Sequence, residues 1–258
     1  MTRAINTIRQ KGFTLIELLV ALGIFLVITG AAFTLLGTSQ QRYQTESQVL
    51  TSFQEARLAL DQIVRDVNDS GYPPPTFDGG NANFYASFPF AWSPGYAAGN
   101  SCAIGTGVGV QCSIPGDSDL IIETNPNPQD PNCAPNCTVQ WIRYQLNSTT
   151  LMRGVAPKVF GTDPVAAFTG PNGAPLVPFV QNVVNTAAQP VFSYTCDTPT
   201  ALQPQPQPCS LAGDDSLPAN VRDVVITLIV AAPQPDAKTG QRRLVVLNGR
   251  GRRINPNQ

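Results

Sequence analysis

The sequence predicts an α+β protein in which one long N-terminal helix packs on an antiparallel β-sheet with long, disulfide-stapled loops. Three observations predict this class. An apolar run at residues 13–36 contains a single charge, and a one-sided apolar stripe follows it with no proline in between. Short β-rich runs separated by Gly, Pro, Asn and Ser then fill the rest of the 258 residues. A helix first and strands afterwards is the order typical of the α+β class.

Residues 13–36 form the apolar run, and its only charge is Glu17. As a helix the run is roughly 36 Å long, which is enough to cross about 30 Å of hydrocarbon with some tilt. Arg3, Arg9 and Lys11 precede it with no acidic residue between them, so the positive-inside bias keeps the N-terminus in the cytoplasm. The sequence therefore predicts a single-pass protein with a transmembrane half-helix at 13–37 and an outward domain.

Glu17 lies where a carboxylate is costly. One interpretation places it in the first helical turn, where the helix dipole favours it and the side chain reaches the headgroups. The other gives it a cationic partner inside the membrane. A cut after Gly12 would make the α-amine of Phe13 that cation, either within one helix or from a neighbouring helix. In the second case the pair would set the register of a helical polymer.

The helix is expected to continue to residue 71, because no proline occurs between residues 13 and 72. Over 38–71 apolar residues recur at three- and four-residue steps and predict one buried stripe. The stripe residues are Val49, Phe53, Ala56, Leu60, Ile63, Val64 and Val67. Charges at spacing four run beside the stripe and are expected to face solvent. They are Arg57, Asp61, Arg65 and Asp69. Gly71, followed by Tyr72 and three prolines, predicts the end of the helix.

Residues 72–258 are expected to form one β-rich outward domain with a large share of loops. Runs rich in β-branched and aromatic residues predict the strands. They occupy 120–124, 139–146, 151–155, 191–195, 221–231 and 243–247. The second and third flank a short polar turn and predict a hairpin, and the last two are joined by a turn-rich segment. Long loops are predicted at 73–118, 125–137, 156–178 and 203–208.

Six cysteines fall in three local couples on the predicted outward side, where oxidation is expected. The couples are Cys102/Cys112, Cys133/Cys137 and Cys196/Cys209. Six cysteines allow 15 connectivities, and local pairing, in which each couple staples a polar loop, is the one favoured here. The couples lack the Cys-x-x-Cys spacing of zinc knuckles and the chain has no histidine, so no metal site is predicted from them.

No enzyme activity and no cofactor are expected. The absence of histidine removes the commonest general base and most catalytic triads, and no phosphate loop or nucleophile elbow occurs. The couples Asp117/Asp119 and Asp214/Asp215 could join a calcium site, since hard cations take clustered oxygens. Aspartates flanked by glycine and serine are more often turn residues, and that interpretation is favoured.

Charge argues against nucleic acid as a partner of the whole domain, because loss of the three basic leader residues would lower the net charge from −1 to −4. The basic end of the chain is the exception, and it is expected to be a solvated tail beside the last strand. Its residues are Arg242, Arg243, Arg250, Arg252 and Arg253.

An aromatic cluster in the first long loop is either a binding surface or a loop packed on the sheet. It contains Phe84, Tyr85, Phe88, Phe90 and Trp92.

The segment from Lys11 through Gly-Phe-Thr-Leu-Ile-Glu-Leu-Leu-Val-Ala resembles the cleavage and methylation site of type IV prepilins and pseudopilins. The resemblance implies that prepilin peptidase, an aspartic peptidase and methyltransferase of the membrane, removes residues 1–12. It would cut between Gly12 and Phe13 and methylate the new Phe13 amine. It also implies that Glu17 serves peptidase recognition and subunit docking. The implied partners are this enzyme, other major and minor pilins, and the inner-membrane assembly platform.

Three further segments carry a less specific resemblance. Residues 56–72 are similar to W-type minor pilins, and 141–153 and 217–228 resemble parts of both W-type minor pilins and J-type pseudopilins. Major pilins of this family usually have a proline midway along the membrane helix, where this chain has Thr34, and that difference favours a minor subunit.

The resemblance implies a minor pilin that is stored in the inner membrane and then moves to a surface pilus, where it primes or caps assembly. The alternatives are a J-type pseudopilin in the periplasmic pseudopilus of a type II secretion system, and a tip-displayed adhesin or DNA-uptake pilin.

Overall fold

The computed structural model describes residues 12–74, 83–86, 89–91, 116–125, 138–159, 162–196, 207–208, 221–236 and 239–253. These residues form one long α-helix, a short 3-10 helix and eight strands in two antiparallel four-stranded sheets. The predicted α+β class with a pilin-like layout is confirmed, whereas the disulfide staples are not shown. The chain divides into two compact units, Met1–Gln48 and Val49–Gln258.

Helix α1 spans Leu15–Asn68, and its N-terminal part lies in the first unit. The large apolar side chains of residues 13–36 are all more than half exposed. Two threonine hydroxyls bond inside the helix, with Thr29 Oγ1 donating to the Phe25 carbonyl at 2.7 Å and Thr34 Oγ1 to the Ala31 carbonyl at 2.8 Å. Such bonds satisfy polar groups where lipid offers no partner. Within the described residues, α1 alone is long and apolar enough to cross a membrane, judged by length and composition.

The C-terminal part of α1 lies in the second unit, and its predicted apolar stripe is confirmed. Ala56, Leu60, Ile63 and Val67 are buried, while the charges predicted beside the stripe are exposed. The chain leaves the helix at the predicted place through Gly71, whose φ of 79° favours glycine. This half of the helix therefore packs on the core along one side.

The first sheet has the order β1-β2-β3-β4. Its strands are β1 Asp119–Thr124, β2 Gln140–Asn147, β3 Thr150–Pro157 and β4 Val177–Val180. The first three match the predicted strands, including the hairpin between β2 and β3, where Ser148 has φ 55°. Strand β4 was predicted largely as loop, since it has only four residues and carries Pro178, which removes a ladder donor.

The second sheet has the order β6-β5-β7-β8. Its strands are β5 Phe192–Cys196, β6 Gln207–Pro208, β7 Val221–Ala231 and β8 Leu244–Arg252. Strands β5 and β7 match the prediction, whereas the two residues of β6 were assigned to a loop. Strand β8 runs five residues past its predicted end, so the prediction of a solvated tail is wrong for Arg250 and Arg252.

Two glycines explain why β8 is longer than predicted. A Cβ at position 251 would lie 2.6 Å from the Val67 Cβ, and one at position 249 would lie 2.8 Å from the Leu60 Cδ1. The strand therefore presents bare backbone to α1. Glycine lowers strand propensity in a sequence, but here it permits the close approach of helix and sheet.

Gly251→Ala is expected to destabilise the protein by about 1–3 kcal/mol, because the added methyl meets the stiff Val67 side chain in a packed core. Gly249→Ala is expected to cost less, because its nearest contacts, Leu60 Cδ1 at 2.8 Å and Val64 Cγ2 at 2.9 Å, are side-chain ends and lie farther away than Val67 does from position 251. Urea unfolding of the full chain in detergent micelles, followed by tryptophan fluorescence, measures both. Asn248→Ala, at an exposed position directly before Gly249, is the control. Equal losses in all three variants would contradict the prediction.

The core has two parts. The larger one lies between α1 and both sheets, and the smaller one covers the opposite face of the first sheet. The smaller part is built on Ile121 and Trp141, and it is closed by Phe168 of the 3-10 helix Ala166–Phe168. Gly154 permits this closure, since a Cβ there would lie 2.7 Å from the Leu176 Cδ2. The predicted loop at 156–178 therefore packs on the sheet over part of its length.

Candidate functional site

The first described residues, Gly12 to Thr14, lie before the start of α1 and are not helical. The Phe13 side chain is 89 % exposed. A Cβ added to Gly12 would meet nothing within 4 Å. The peptide bond between Gly12 and Phe13 is therefore exposed, non-helical backbone, which is the form a peptidase can bind.

Glu17 lies in the first turn of α1, where its carboxylate caps the helix. The Thr14 backbone N–H and the Thr14 hydroxyl each donate to Glu17 Oε2 at 3.0 Å. The Glu17 backbone N–H approaches the Thr14 hydroxyl oxygen at 3.4 Å. This reciprocal arrangement is a capping box, which satisfies backbone donors that a helix start leaves unpaired. Its signature, Thr followed three residues later by Glu, is present in the sequence at Thr14 and Glu17.

A buried polar cluster ties α1 to the first sheet. The Tyr144 hydroxyl donates to Asp66 Oδ2 at 2.6 Å, and Arg153 donates to the Tyr144 oxygen at 3.0 Å and to Asp66 Oδ2 at 3.2 Å. Burial raises the pKa of Tyr144, and the negative charge of Asp66 raises it further. The phenol therefore stays protonated and keeps donating to Asp66.

Sequence reasoning missed this cluster, although two signals for it exist. Asp66 lies on the apolar stripe between Ile63 and Val67, and a charge on a buried stripe needs a partner. The hairpin register places Tyr144 opposite Arg153, so both side chains share a face of the sheet.

Tyr144→Phe is expected to destabilise the protein by about 1.5–3 kcal/mol, because it removes a buried hydrogen bond to a charged group. Urea unfolding of the full chain in detergent micelles measures the loss. Tyr43→Phe removes the same hydroxyl from a side chain that is 75 % exposed, and it should leave the unfolding midpoint unchanged. A Tyr144→Phe midpoint equal to that of the control would refute the prediction.

A second charged cluster lies on the other face of the first sheet. The side chains of Lys158 and Glu123 form an ion pair and are completely buried. Lys158 Nζ also donates to the Tyr85 carbonyl at 2.8 Å, and Trp141 Nε1 donates to the second Glu123 oxygen at 3.4 Å. Burial lowers the pKa of Lys158, and the Glu123 charge opposes that shift. This pair was not predicted, because its members lie 35 residues apart in the sequence.

Of the two aspartate couples considered for calcium, Asp117/Asp119 lies within the described residues, with Asp117 exposed and Asp119 half-buried. Asp119 accepts from Arg143 at 2.6 and 3.0 Å and from the Gln145 amide at 3.0 Å. Its carboxylate is thus neutralised by a guanidinium, which favours the structural interpretation over calcium. Asp214 and Asp215 lie outside the described residues.

Cys196 is the one candidate disulfide cysteine within the described residues. It is 1 % exposed at the end of β5, opposite Gln207 of β6, and it is not a free thiol. Because Cys209 follows β6 directly in the sequence, the predicted Cys196/Cys209 pairing is compatible with this strand pair and stays a prediction. The other cysteines, Cys102, Cys112, Cys133, Cys137 and Cys209, lie outside the described residues.

Part of the aromatic cluster packs on the sheet. Phe90 is completely buried in the main core and forms a backbone bridge with Ile122 of β1. The Tyr85 ring lies 5.4 Å from Lys158 Nζ. These contacts favour loop packing over a binding surface for both residues, while Phe88 and Trp92 lie outside the described residues.

Comparison with known proteins identifies one feature. Residues 8–33 match the prokaryotic N-terminal methylation motif, which is type IV prepilin-like. No curated protein and no solved structure matches the chain. The prediction of a prepilin-type N-terminus is confirmed, and the motif supports a type IV pilin- or pseudopilin-like protein. Such proteins are processed by prepilin peptidase and associate with pilins, and they are usually structural rather than catalytic.

Proposed function

We propose, from the prepilin-like methylation motif at residues 8–33, that this chain is a minor pilin that primes or caps type IV pilus assembly. The observation that carries the proposal is local. A reachable, non-helical Gly12–Phe13 bond is followed at once by a capped helix whose large apolar side chains are all exposed as far as residue 36. Such a helix needs lipid before assembly and other helices afterwards.

Processing is proposed to hydrolyse the bond between Gly12 and Phe13, so that the leader 1–12 leaves and the Phe13 amine is methylated. The new amine would lie one residue before Thr14, whose N–H and hydroxyl already bind Glu17. The same carboxylate is therefore placed to receive the amine of its own chain or that of a neighbouring helix. This supports a docking role for Glu17.

The subunit is proposed to wait in the inner membrane with residues 13–37 in the bilayer and with 38–71 and 72–258 on the outward side. From there it would enter the pilus, taken up by the inner-membrane assembly platform together with major and minor pilins. The absence of proline between residues 13 and 72 favours a minor role over that of the bulk subunit.

A clean deletion tests the proposal, with surface filaments scored by electron microscopy while the retraction motor is intact and again after its removal. Filaments that vanish with the motor present and return without it support a priming role. Filaments that are unaffected in both backgrounds refute it. In that case loss of a secreted protein from the medium would favour the pseudopilin alternative, and loss of adhesion or DNA uptake would favour tip display.

A further inference from the structure

Strand β8 lies at one end of the second sheet, and the direction of its backbone groups can be read from three hydrogen bonds. The Arg243 carbonyl accepts from Ala232, and the Arg253 N–H donates to the Arg222 carbonyl, so odd-numbered residues face β7. The Arg252 N–H instead donates to Asn68 Oδ1, on the side away from β7. In an antiparallel ladder the N–H and C=O of one residue point the same way. The even-numbered residues of β8 therefore point out of the sheet.

Three outward residues, Leu244, Val246 and Asn248, have backbone groups with no partner in the described part of the chain. Two of the usual devices that blunt an edge, a β-bulge and a proline, are missing from this strand. The register with β7 is continuous from Leu244 to Arg252, without a bulge, and the strand contains no proline. The edge is thus open over residues 244–248, and an open edge of this kind is a template for another strand.

The side chains of the same even-numbered residues lie on the sheet face opposite α1, since Gly249 and Gly251 face the helix. Leu244 and Val246 are 59 % and 55 % exposed. Towards the other end of the strand the outward side chains are basic, namely Arg250, which also binds Asp223 Oδ2 at 2.7 Å, and Arg252. The side chains along this edge are therefore apolar at the start of β8 and basic at its end.

We propose that β8 pairs through this edge with an extended strand of a different subunit, running antiparallel to it. The inference rests on the minor-pilin proposal and names the chemistry of a partner. The first residues of an antiparallel neighbour lie opposite Arg252 and Arg250. The side chains that it carries there, on the sheet face away from α1, are therefore acidic. It carries β-branched apolar residues at its end, opposite Val246 and Leu244. Such cross-strand pairs stabilise a sheet, and their order selects the partner.

A second copy of this chain fits the edge poorly. A symmetric antiparallel pair of β8 strands centred on Asn248 places Leu244 opposite Arg252 and Val246 opposite Arg250. Apolar side chains would then meet charges at both ends, and neither copy would supply a carboxylate. A partner strand that matches the whole edge therefore has a sequence different from that of β8.

Two synthetic nonapeptides of identical composition test whether binding depends on the order of acidic and apolar residues along the partner strand. The first, Glu-Thr-Glu-Thr-Thr-Thr-Val-Thr-Val, matches β8 read antiparallel, and the second has the reverse sequence. Each is added to the full chain in detergent micelles, and hydrogen exchange of the amides in 244–250 is followed by mass spectrometry. The first peptide is expected to slow this exchange by about tenfold at saturation, equivalent to about 1.4 kcal/mol. The reverse peptide is expected to have no effect. No protection by either peptide, or equal protection by both, overturns the proposal.

Asn248→Pro separates edge pairing from folding. Its lost N–H points away from β7, so the β7–β8 ladder keeps its bonds while the partner loses a donor. Asn248→Ala keeps the N–H and is the matched control. Protection by the first peptide should persist in the alanine variant and disappear in the proline variant, with both variants showing the wild-type unfolding midpoint. If Asn248→Pro lowers the unfolding midpoint, Val246→Asp is used in its place, because the added carboxylate repels the acidic peptide. Val246→Thr is the control for that variant. Persisting protection in both Asn248→Pro and Val246→Asp overturns the proposal.

Two other outcomes have separate meanings. If the full chain forms a dimer in micelles that Val246→Asp abolishes, the occupant is a second copy and the proposal of a different subunit is wrong. Filament priming is measured independently in cells. If the deletion leaves filaments unaffected while the peptide result is positive, the pilus function fails and the edge pairing stands.

Discussion

Gly12→Val is expected to hold the chain in its precursor form, with residues 1–12 attached and Phe13 unmethylated. A peptidase that cuts after glycine has no room for a branched side chain at that position, and a misplacement of about 1 Å can slow a reaction by about 100-fold. The substitution itself meets nothing in the protein, since no atom lies within 4 Å of a Cβ at Gly12. Mass spectrometry of the N-terminal peptide, from cells that contain the peptidase, measures the mature fraction.

Gly37→Val is the matched control. It is the same substitution at another glycine with nothing within 4 Å, and it lies 25 positions away in sequence from Gly12, where cleavage is proposed. Its chain should be cut and methylated at Phe13 like the wild type. A methylated Phe13 at wild-type abundance in the Gly12→Val protein would show that cleavage does not depend on this glycine.

Lys158→Met is expected to destabilise the protein by about 3–5 kcal/mol, because it leaves the Glu123 carboxylate buried without a cation. Both side chains are completely buried, so water cannot solvate the remaining charge. Urea unfolding of the full chain in detergent micelles gives the change, with tryptophan fluorescence as the signal.

The double variant Lys158→Met with Glu123→Gln is the control for this interpretation. Glutamine removes the charge but keeps an acceptor for the Trp141 N–H, so most of the lost free energy of unfolding should return. A double variant as unstable as Lys158→Met alone would mean that the loss comes from packing around Lys158 and not from an unpaired charge.

The sequence predicted those parts of the fold whose information is local. Helix α1, its buried stripe and its end at Gly71 follow from residue spacing and from one glycine. The hairpin of β2 and β3 follows from two β-rich runs around a polar turn. The prepilin-type motif is likewise a contiguous run of residues, and it could be read before any contact was known.

The remainder depends on contacts between distant segments. Asp66 meets Tyr144 across 78 positions, and Arg250 meets Asp223 across 27, so neither pair can be read from one stretch of sequence. Strand β4 was not predicted because Pro178 is typical of loops. The end of β8 was not predicted because glycines such as Gly249 and Gly251 usually disfavour strands. In each case tertiary packing overrides local propensity.

The alternation of glycine and arginine in β8 separates two requirements within one strand, namely the packing of α1 and the choice of a neighbouring strand. The bare positions 249 and 251 hold α1, and any side chain there is opposed by Val67 or Leu60. The even-numbered positions of β8 have their side chains on the face away from α1 and meet neither residue. Under the proposed edge pairing, changes at 244 and 246 can therefore alter which neighbour the protein accepts without altering how its helix is held. A single scaffold can in this way diverge into subunits with different places in one assembly.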